Sequence, residues 1–262
     1  MFALERIRLI RKYLDEHRQV EVATLSALLG VSEVTIRRDL EKLETEGYLT
    51  RTHGGALLNL EPENQAERFF PENDEESADQ AEIAGVAVKM IQDDDIIMLT
   101  SGDITRRIAR GLEALSNVTV LTNDIRIALV LATQPQNKTV LLGGDLDPET
   151  RTLSGAMTIE NLQKFYVNRL FFEVDGINDR LQLSVTNQAK AGLIKEAVHI
   201  ARERIVLCTA ERFRRSAFYR LGGIELASKI VTNPSLSDEY KRSVFMNNVP
   251  LFTSIHAFEG TV

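Results

Sequence analysis

The 262-residue sequence has one cysteine, four histidines and no apolar run approaching the length of a membrane span. Each scarcity excludes something. A lone thiol cannot close an intramolecular disulfide, and such sparing use of cysteine suits a reducing, cytoplasmic compartment. Cys208 sits in the apolar stretch Ile205-Val-Leu-Cys208 and reads as a packed core thiol. A membrane helix needs about 18 or more consecutive apolar residues, and the longest run here lies near Ile127–Ala132, so no membrane partner is expected. The opening stretch MFALERIRLIRKYLDEHR carries a charge every few residues and lacks the apolar core of a signal peptide. His17, His53, His199 and His256 do not pair with cysteines or carboxylates at ligand spacing, so neither a metal nor a cofactor is expected.

The chain nevertheless has 44% hydrophobic residues, enough for a sizeable core, and a length that suggests two domains. Net charge is −7 and unevenly spread. Residues 1–56 hold nine basic and nine acidic residues, leaving 22 basic against 29 acidic residues in the remainder. The acidic excess therefore lies outside the N-terminal segment. There the cations cluster: Arg6, Arg8, Arg11 and Lys12 in one stretch, Arg37 and Arg38 in another, then Arg51.

Leu4, Ile7, Ile10, Tyr13 and Leu14 recur at helical spacing, and Val20-Glu-Val22 alternates like a short strand. Leu25, Leu28 and Leu29 give a second, short helix an apolar face. Gly30 supplies the backbone freedom of a tight turn, and Ser32 is a good N-cap for a third helix. On that helix Ile36, Leu40 and Leu43 share the inward face. Val34, Arg38 and Glu41 point the other way, flanked by Thr35, Arg37 and Lys42. Tyr48–Thr52, Gly54-Gly55 and Ala56–Leu58 read as a β-hairpin with Arg51 and His53 near its tip. This is the order of parts in a winged helix-turn-helix. Its third helix offers a duplex two guanidiniums able to grip guanine, a hydroxyl, and methyl groups for thymine. The candidate DNA-binding residues are Ser32, Val34, Thr35, Arg37, Arg38, Lys42, Arg51 and His53, with double-stranded operator DNA as the partner.

The segment VSEVTIRRDLEKLETEGYLTRTHGGA resembles the N-terminal signature of the DeoR family of bacterial transcriptional regulators. Thr35–Leu40 and Arg51–Ala56 are its distinctive parts. The resemblance implies a winged helix-turn-helix that binds an operator.

Residues 59–79 are strongly acidic, contain Pro62 and Pro71, and read as a linker with a possible anchor at Phe69-Phe70. The expected domains are therefore 1–58 and 80–262. In the second, helix-like segments (83–91, 105–115, 124–132, 159–166, 189–201, 237–246) alternate with strand-like ones (96–99, 118–121, 139–142, 170–174, 205–208, 230–232, 251–255). Alternation of this kind predicts an α/β domain on a mostly parallel sheet. In such folds ligands sit at the carboxyl ends of strands. Those ends carry Ser101-Gly102-Asp103, Thr122-Asn123-Asp124, Gly143-Gly144-Asp145 and Asp175-Gly176.

The family resemblance extends more loosely through this half: Ser101-Gly102 with Thr105, Thr122-Asn123, Gly143-Gly144-Asp-Leu146, Gly155, Asp175-Gly176-Ile177 and Lys195. It implies an effector domain similar in fold to sugar-phosphate isomerases, binding a phosphorylated sugar or related intermediate. The effector-site candidates are Ser101, Gly102, Asp103, Thr105, Asn123, Gly143, Gly144, Asp175, Lys195 and Arg212. Three departures from the family pattern stand out. Asp103 interrupts the first loop, Glu173 replaces a common glycine, and Arg212 stands where a lysine is usual. A carboxylate in a phosphate-cradling loop repels the phosphate, so Asp103 predicts a neutral sugar or polyol, a cationic ligand, or a phosphate turned towards Lys195 or Arg212. The alternative is that Asp103 caps the following helix and faces away.

The resulting expectation is a non-enzymatic DNA-binding regulator, a repressor of a carbohydrate-use operon, acting as a homodimer or homotetramer on a repeated operator. Two other readings are an isomerase-like enzyme using loop carboxylates such as Asp124, Asp145, Asp147, Asp175 and Glu173, and a protein–protein adaptor with a defunct pocket.

Overall fold

In the computed structural model, described for residues 3–45, 48–52, 54–58 and 77–253, the chain divides into two compact units, Met1–Pro71 and Glu72–Val262.

The first unit contains α1 (Ala3–His17), β1 (Gln19–Glu21), α2 (Val22–Leu29), α3 (Glu33–Thr45), β2 (Leu49–Arg51) and β3 (Gly55–Leu58). The turn after α2 closes on Gly30, whose φ of 64° is the left-handed conformation that glycine adopts without steric cost. α3 starts as the sequence predicts: the Ser32 hydroxyl accepts from the Thr35 N–H at 3.4 Å and lies 3.0 Å from the Thr35 hydroxyl. Ile10, Leu14, Leu25, Ile36, Leu40, Leu43 and Leu49 are buried together. The three strands form one antiparallel sheet in the order β1-β3-β2. The glycine pair has a second duty here. A Cβ on Gly55 would lie 2.0 Å from the Val20 carbonyl oxygen, so the pairing of β3 with β1 requires a bare Cα.

One buried contact went unforeseen. Arg6, grouped by sequence with the surface cations of α1, is buried. It holds Asp39 of α3 through two bonds, Nε to Oδ2 at 2.5 Å and Nη2 to Oδ1 at 3.1 Å. Arg11 lies over the Tyr48 ring, 4.6 Å from its centroid. Arg8 and Lys12 remain exposed.

The second unit opens with α4 (Ala78–Val88), capped by Ser77, so 77–79 belong to this helix rather than to the linker. The rest of the expected linker, with Phe69-Phe70, lies outside the described residues. There follow β4 (Ile96–Leu99), α5 (Asp103–Gly111), β5 (Thr119–Thr122), α6 (Ile125–Ala132) and β6 (Lys138–Leu141). Next come β7 (Asp145–Asp147), β8 (Thr152–Ser154), α7 (Ala156–Leu162), β9 (Val167–Glu173), β10 (Gly176–Ile177), β11 (Gln182–Val185) and α8 (Gln188–Ile200). The described elements end with β12 (Ala201–Leu207), β13 (Tyr219–Gly223), β14 (Lys229–Val231), α9 (Asp238–Met246) and β15 (Leu251–Phe252).

Seven strands form one sheet in the order β15-β14-β12-β9-β4-β5-β6, and every neighbouring pair is parallel. Alternate residues enter opposite cores: Phe172 packs with α7, α8 and α9, whereas Phe171 packs with α4, α5 and α6. Both faces are covered, which explains the near-continuous apolar runs of these strands. The chain adds β5 and β6 on one side of β4, then β9, β12, β14 and β15 on the other. The strand order therefore reverses between β4 and β9, the place where such sheets open a crevice. Two smaller antiparallel pieces, the β7–β8 hairpin and the sheet β10-β11-β13, were not anticipated from sequence.

Candidate functional site

On α3 the buried positions are Ile36, Asp39, Leu40 and Leu43. The opposite face presents Val34, Arg37, Arg38 and Lys42, all exposed, with Val34 at 62% and Thr35 partly so. Arg37 makes a surface pair with Glu33 one turn back, at 3.3 Å. Arg51 on β2 lies 4.0 Å from Glu41 and 3.9 Å from Glu44, again at the surface. Exposed pairs of this kind contribute about 0–1 kcal/mol and are easily exchanged for phosphate. Of the eight sequence candidates, six lie on this helix or the hairpin and Ser32 immediately precedes the helix; His53 lies outside the described residues.

In the second unit a cleft of about 310 Å³ opens at the carboxyl ends of β4, β5 and β9. Ser101 and Gly102 follow β4, Asn123 follows β5 and Asp175 follows β9; all four line it. The remaining wall comes from residues that sequence reasoning passed over. Thr150, Thr152 and Ser154 belong to the β7–β8 hairpin, whose Leu153 N–H donates to the Asn123 carbonyl at 2.8 Å. Thr186, Asn187 and Lys190 come from the start of α8, and Arg126 from α6.

Electrostatically the cleft is mixed. Arg126 is held by Asp124 at 2.9 Å, while the buried Asp124 also caps α6 by accepting from the Arg126 N–H. Asp175 Oδ2 accepts from the Thr186 N–H at 2.7 Å and its hydroxyl at 2.9 Å. Asn123 Nδ2 donates to Leu153 O at 3.0 Å. Glu173, at the end of β9, accepts from the Thr105 N–H at 3.0 Å; burial of the carboxyl raises its pKa, and Lys190 opposes that shift.

The other candidates sit elsewhere. Asp103 does not line the cleft: it is the exposed first residue of α5, 3.4 Å from Arg106 on the same helix. Its carboxylate pairs with a residue of its own helix. Thr105 is buried and bonded to Glu173 and Gly102. Gly143 and Gly144 serve packing: a Cβ on Gly144 would lie 2.0 Å from the Thr158 hydroxyl, and that hydroxyl donates to Gly143 O. Lys195 is exposed farther along α8, where the helical turn carries it off the face that Lys190 presents to the cleft. Arg212 lies in a short turn beside Glu211, at 3.6 Å. Asp147 takes N–H bonds from Glu149 and Thr150, which hold its pKa down. Cys208 is buried in the core, where burial drives its thiol pKa upward.

A three-helix reading head with a wing, followed in the same chain by a doubly covered parallel sheet with an open switch-point cleft, defines a DNA-binding regulator that carries its own sensor. The DeoR-like helix-turn-helix profile matches residues 6–61, and the DeoR C terminal sensor domain profile matches residues 75–234. The chain belongs to the DeoR family of transcriptional regulators. It is 28% identical over 233 residues to the HTH-type transcriptional repressor GlcR of Bacillus subtilis, covering 89% of each chain. It is 27% identical over 244 residues to the HTH-type transcriptional regulator IolR of the same organism, covering 90% of this chain and 94% of that one. Among solved structures, ribose 5-phosphate isomerase A from Methanocaldococcus jannaschii overlaps 51% of this chain and 53% of its own, with a TM-score of 0.38 and 17% identity. No helix among the described residues is long and apolar enough to cross a membrane.

Proposed function

We propose that the chain represses a carbohydrate-use operon, reading operator DNA with the outward face of α3 and sensing a sugar, polyol or sugar-phosphate effector in the switch-point cleft. The observation that carries the DNA half is the segregation on α3. Its aliphatic stripe is fully buried, while Arg37, Arg38 and Lys42 are exposed and Arg37 is held by a surface pair with Glu33. Repression follows the relative named GlcR, a transcriptional repressor. The effector is bound and released unchanged, and its binding biases the DNA affinity by a coupling energy of about 1–3 kcal/mol. A homodimer or homotetramer on repeated half-sites supplies the specificity that one short helix lacks.

The direct test is electrophoretic retardation of the chain's own promoter fragment. Wild type retards it selectively over unrelated DNA, and R37A/R38A does not; intact selective retardation by the double variant refutes the DNA half. For the cleft, a panel of sugars, polyols and their phosphates is screened for a rise in melting temperature. A hit whose shift survives Asn123→Ala places the effector elsewhere.

A further inference from the structure

The helix start at the edge of the cleft is already occupied by one of the protein's own carboxyl groups. α5 begins at that edge, since Ser101 and Gly102 line the cleft and Gly102 is the residue before the helix. The free N–H groups of a helix's first turn are the usual seat of a bound phosphate. Here Glu173 has taken it. Its Oε1 accepts from the Thr105 N–H at 3.0 Å and lies 3.3 Å from the Thr105 hydroxyl. A Cβ on Gly102 would fall 2.0 Å from the same oxygen, so the carboxylate lies directly over the bare Cα of the loop.

A second, independent feature concerns the polarity of the ligand. Asn123 is 4% exposed, lines the cleft, and donates its amide N–H to Leu153 O, while its Oδ1 has no hydrogen-bond partner among the described residues. A buried acceptor in this position calls for a donor. A hydroxyl provides one; a phosphate dianion brings acceptors alone. Asp175, on the same wall, adds another acceptor.

We propose that Glu173 is a built-in substitute for a ligand phosphate: it fills the N-terminus of α5, so that the cleft takes a polyhydroxy effector, a sugar or polyol without phosphate at the α5 end, through a hydroxyl donated to Asn123. This rests on reading the cleft as the effector site and narrows the effector class. Glu173 thereby determines specificity without needing to touch the effector.

Inorganic phosphate is the probe, titrated calorimetrically into the full-length wild type, E173A, E173S and E173Q, each checked for a wild-type-like melting transition. Removing the carboxylate frees the α5 amides, so E173A and E173S bind phosphate about tenfold more tightly than wild type. E173Q fills the same space and stays close to wild type. Equal affinity in all four proteins overturns the proposal, as does a gain in E173Q that matches E173A. These outcomes are independent of the effector screen, whose Asn123→Ala arm tests the cleft reading by itself.

Discussion

The two units of this chain place charge in opposite ways. In the first, the candidate DNA-contacting residues Arg37 and Arg51 stand on the outside of α3 and β2, paired with neighbouring carboxylates that water also reaches. In the second, carboxylates are turned inward onto helix starts: Asp124 on α6 and Glu173 on α5. Under the proposed function, the difference follows from what each unit would meet. A duplex is a polyanion, and cations that give up weak partners bind it at little cost. A small polyhydroxy ligand must be recognised by fixed acceptors in a recess, and fixing an acceptor requires donors behind it.

The largest expected effect comes from the exception to this contrast, the buried Arg6–Asp39 pair that ties α1 to α3. Asp39→Ala strands a guanidinium whose side chain is only 10% exposed. The loss is about 3 kcal/mol, the low end for breaking a buried pair, because a little of each side chain still reaches water. The variant should lose retardation of operator DNA although Asp39 lies on the buried face of α3, and chemical denaturation should show an early transition for the first unit. Arg6→Met/Asp39→Leu, which removes both charges, should recover most of the stability. Failure of this double variant to recover would mean that the pair specifies the helix arrangement rather than merely satisfying itself.

Next in size is Arg38→Ala, which should weaken operator binding by about 1–3 kcal/mol. If Arg38 reads a base, discrimination against altered operators falls; if it holds a phosphate, affinity falls evenly and the salt dependence becomes shallower by about one unit of slope. Competition retardation over a range of salt concentrations separates the two.

The first unit was legible because nearly everything in it is periodic or local. A stripe at Ile36, Leu40 and Leu43, a cap at Ser32 and a left-handed turn at Gly30 all depend on near neighbours. Arg6 was not legible, because no local pattern reveals which of several arginines meets a carboxylate 33 residues away. In the second unit the seven parallel strands showed as apolar runs, whereas β7, β8, β10, β11 and β13 are short and mostly mix polar or glycine residues with apolar ones, so they carry little signal of their own. That gap hid part of the cleft, since Thr150, Thr152 and Ser154 reach it from the β7–β8 hairpin. The strand-end residues Ser101, Gly102, Asn123 and Asp175 could be anticipated from topology alone. Lys190 rather than Lys195 faces the cleft because of helix phase, which loop-based reasoning does not register. Glu173 departs from the family pattern as Asp103 does, but it stands 68 residues from Thr105 in sequence, so no local pattern reveals that its carboxyl lies over Gly102.

A smaller effect sharpens the contrast within the second unit. Gly102→Ala sets a methyl carbon 2.0 Å from Glu173 Oε1. One of the two must move, at a cost of about 1–3 kcal/mol, the range for overpacking. Because the clash is with a side chain, Gly102→Ala/Glu173→Ala should recover the stability lost by the first change. A thermal melt of the four proteins in this cycle measures the coupling, and additive losses would show that the carboxylate is not what demands glycine there.

The smallest effect is a pH dependence, and its sign is fixed by the direction of the Glu173 shift. Burial of the carboxyl raises its pKa above the ordinary 4.5, with Lys190 and the Thr105 N–H opposing the rise. The folded chain therefore holds this proton more tightly than the unfolded chain. Its contribution to stability is greatest in acid and is lost as pH rises from about 4.5 through the folded pKa. Gln does not titrate, so E173Q should match wild type most closely near the acid end and gain on it as pH increases, levelling off above the folded pKa. A gain of roughly 2–4 °C corresponds to about 1 kcal/mol in a domain of 150–250 residues. A difference that shrinks with rising pH would mean that Lys190 and the α5 amides stabilise the charge more than burial penalises it, and the comparison between outward cations and inward carboxylates would then rest on net attraction at both ends of the chain.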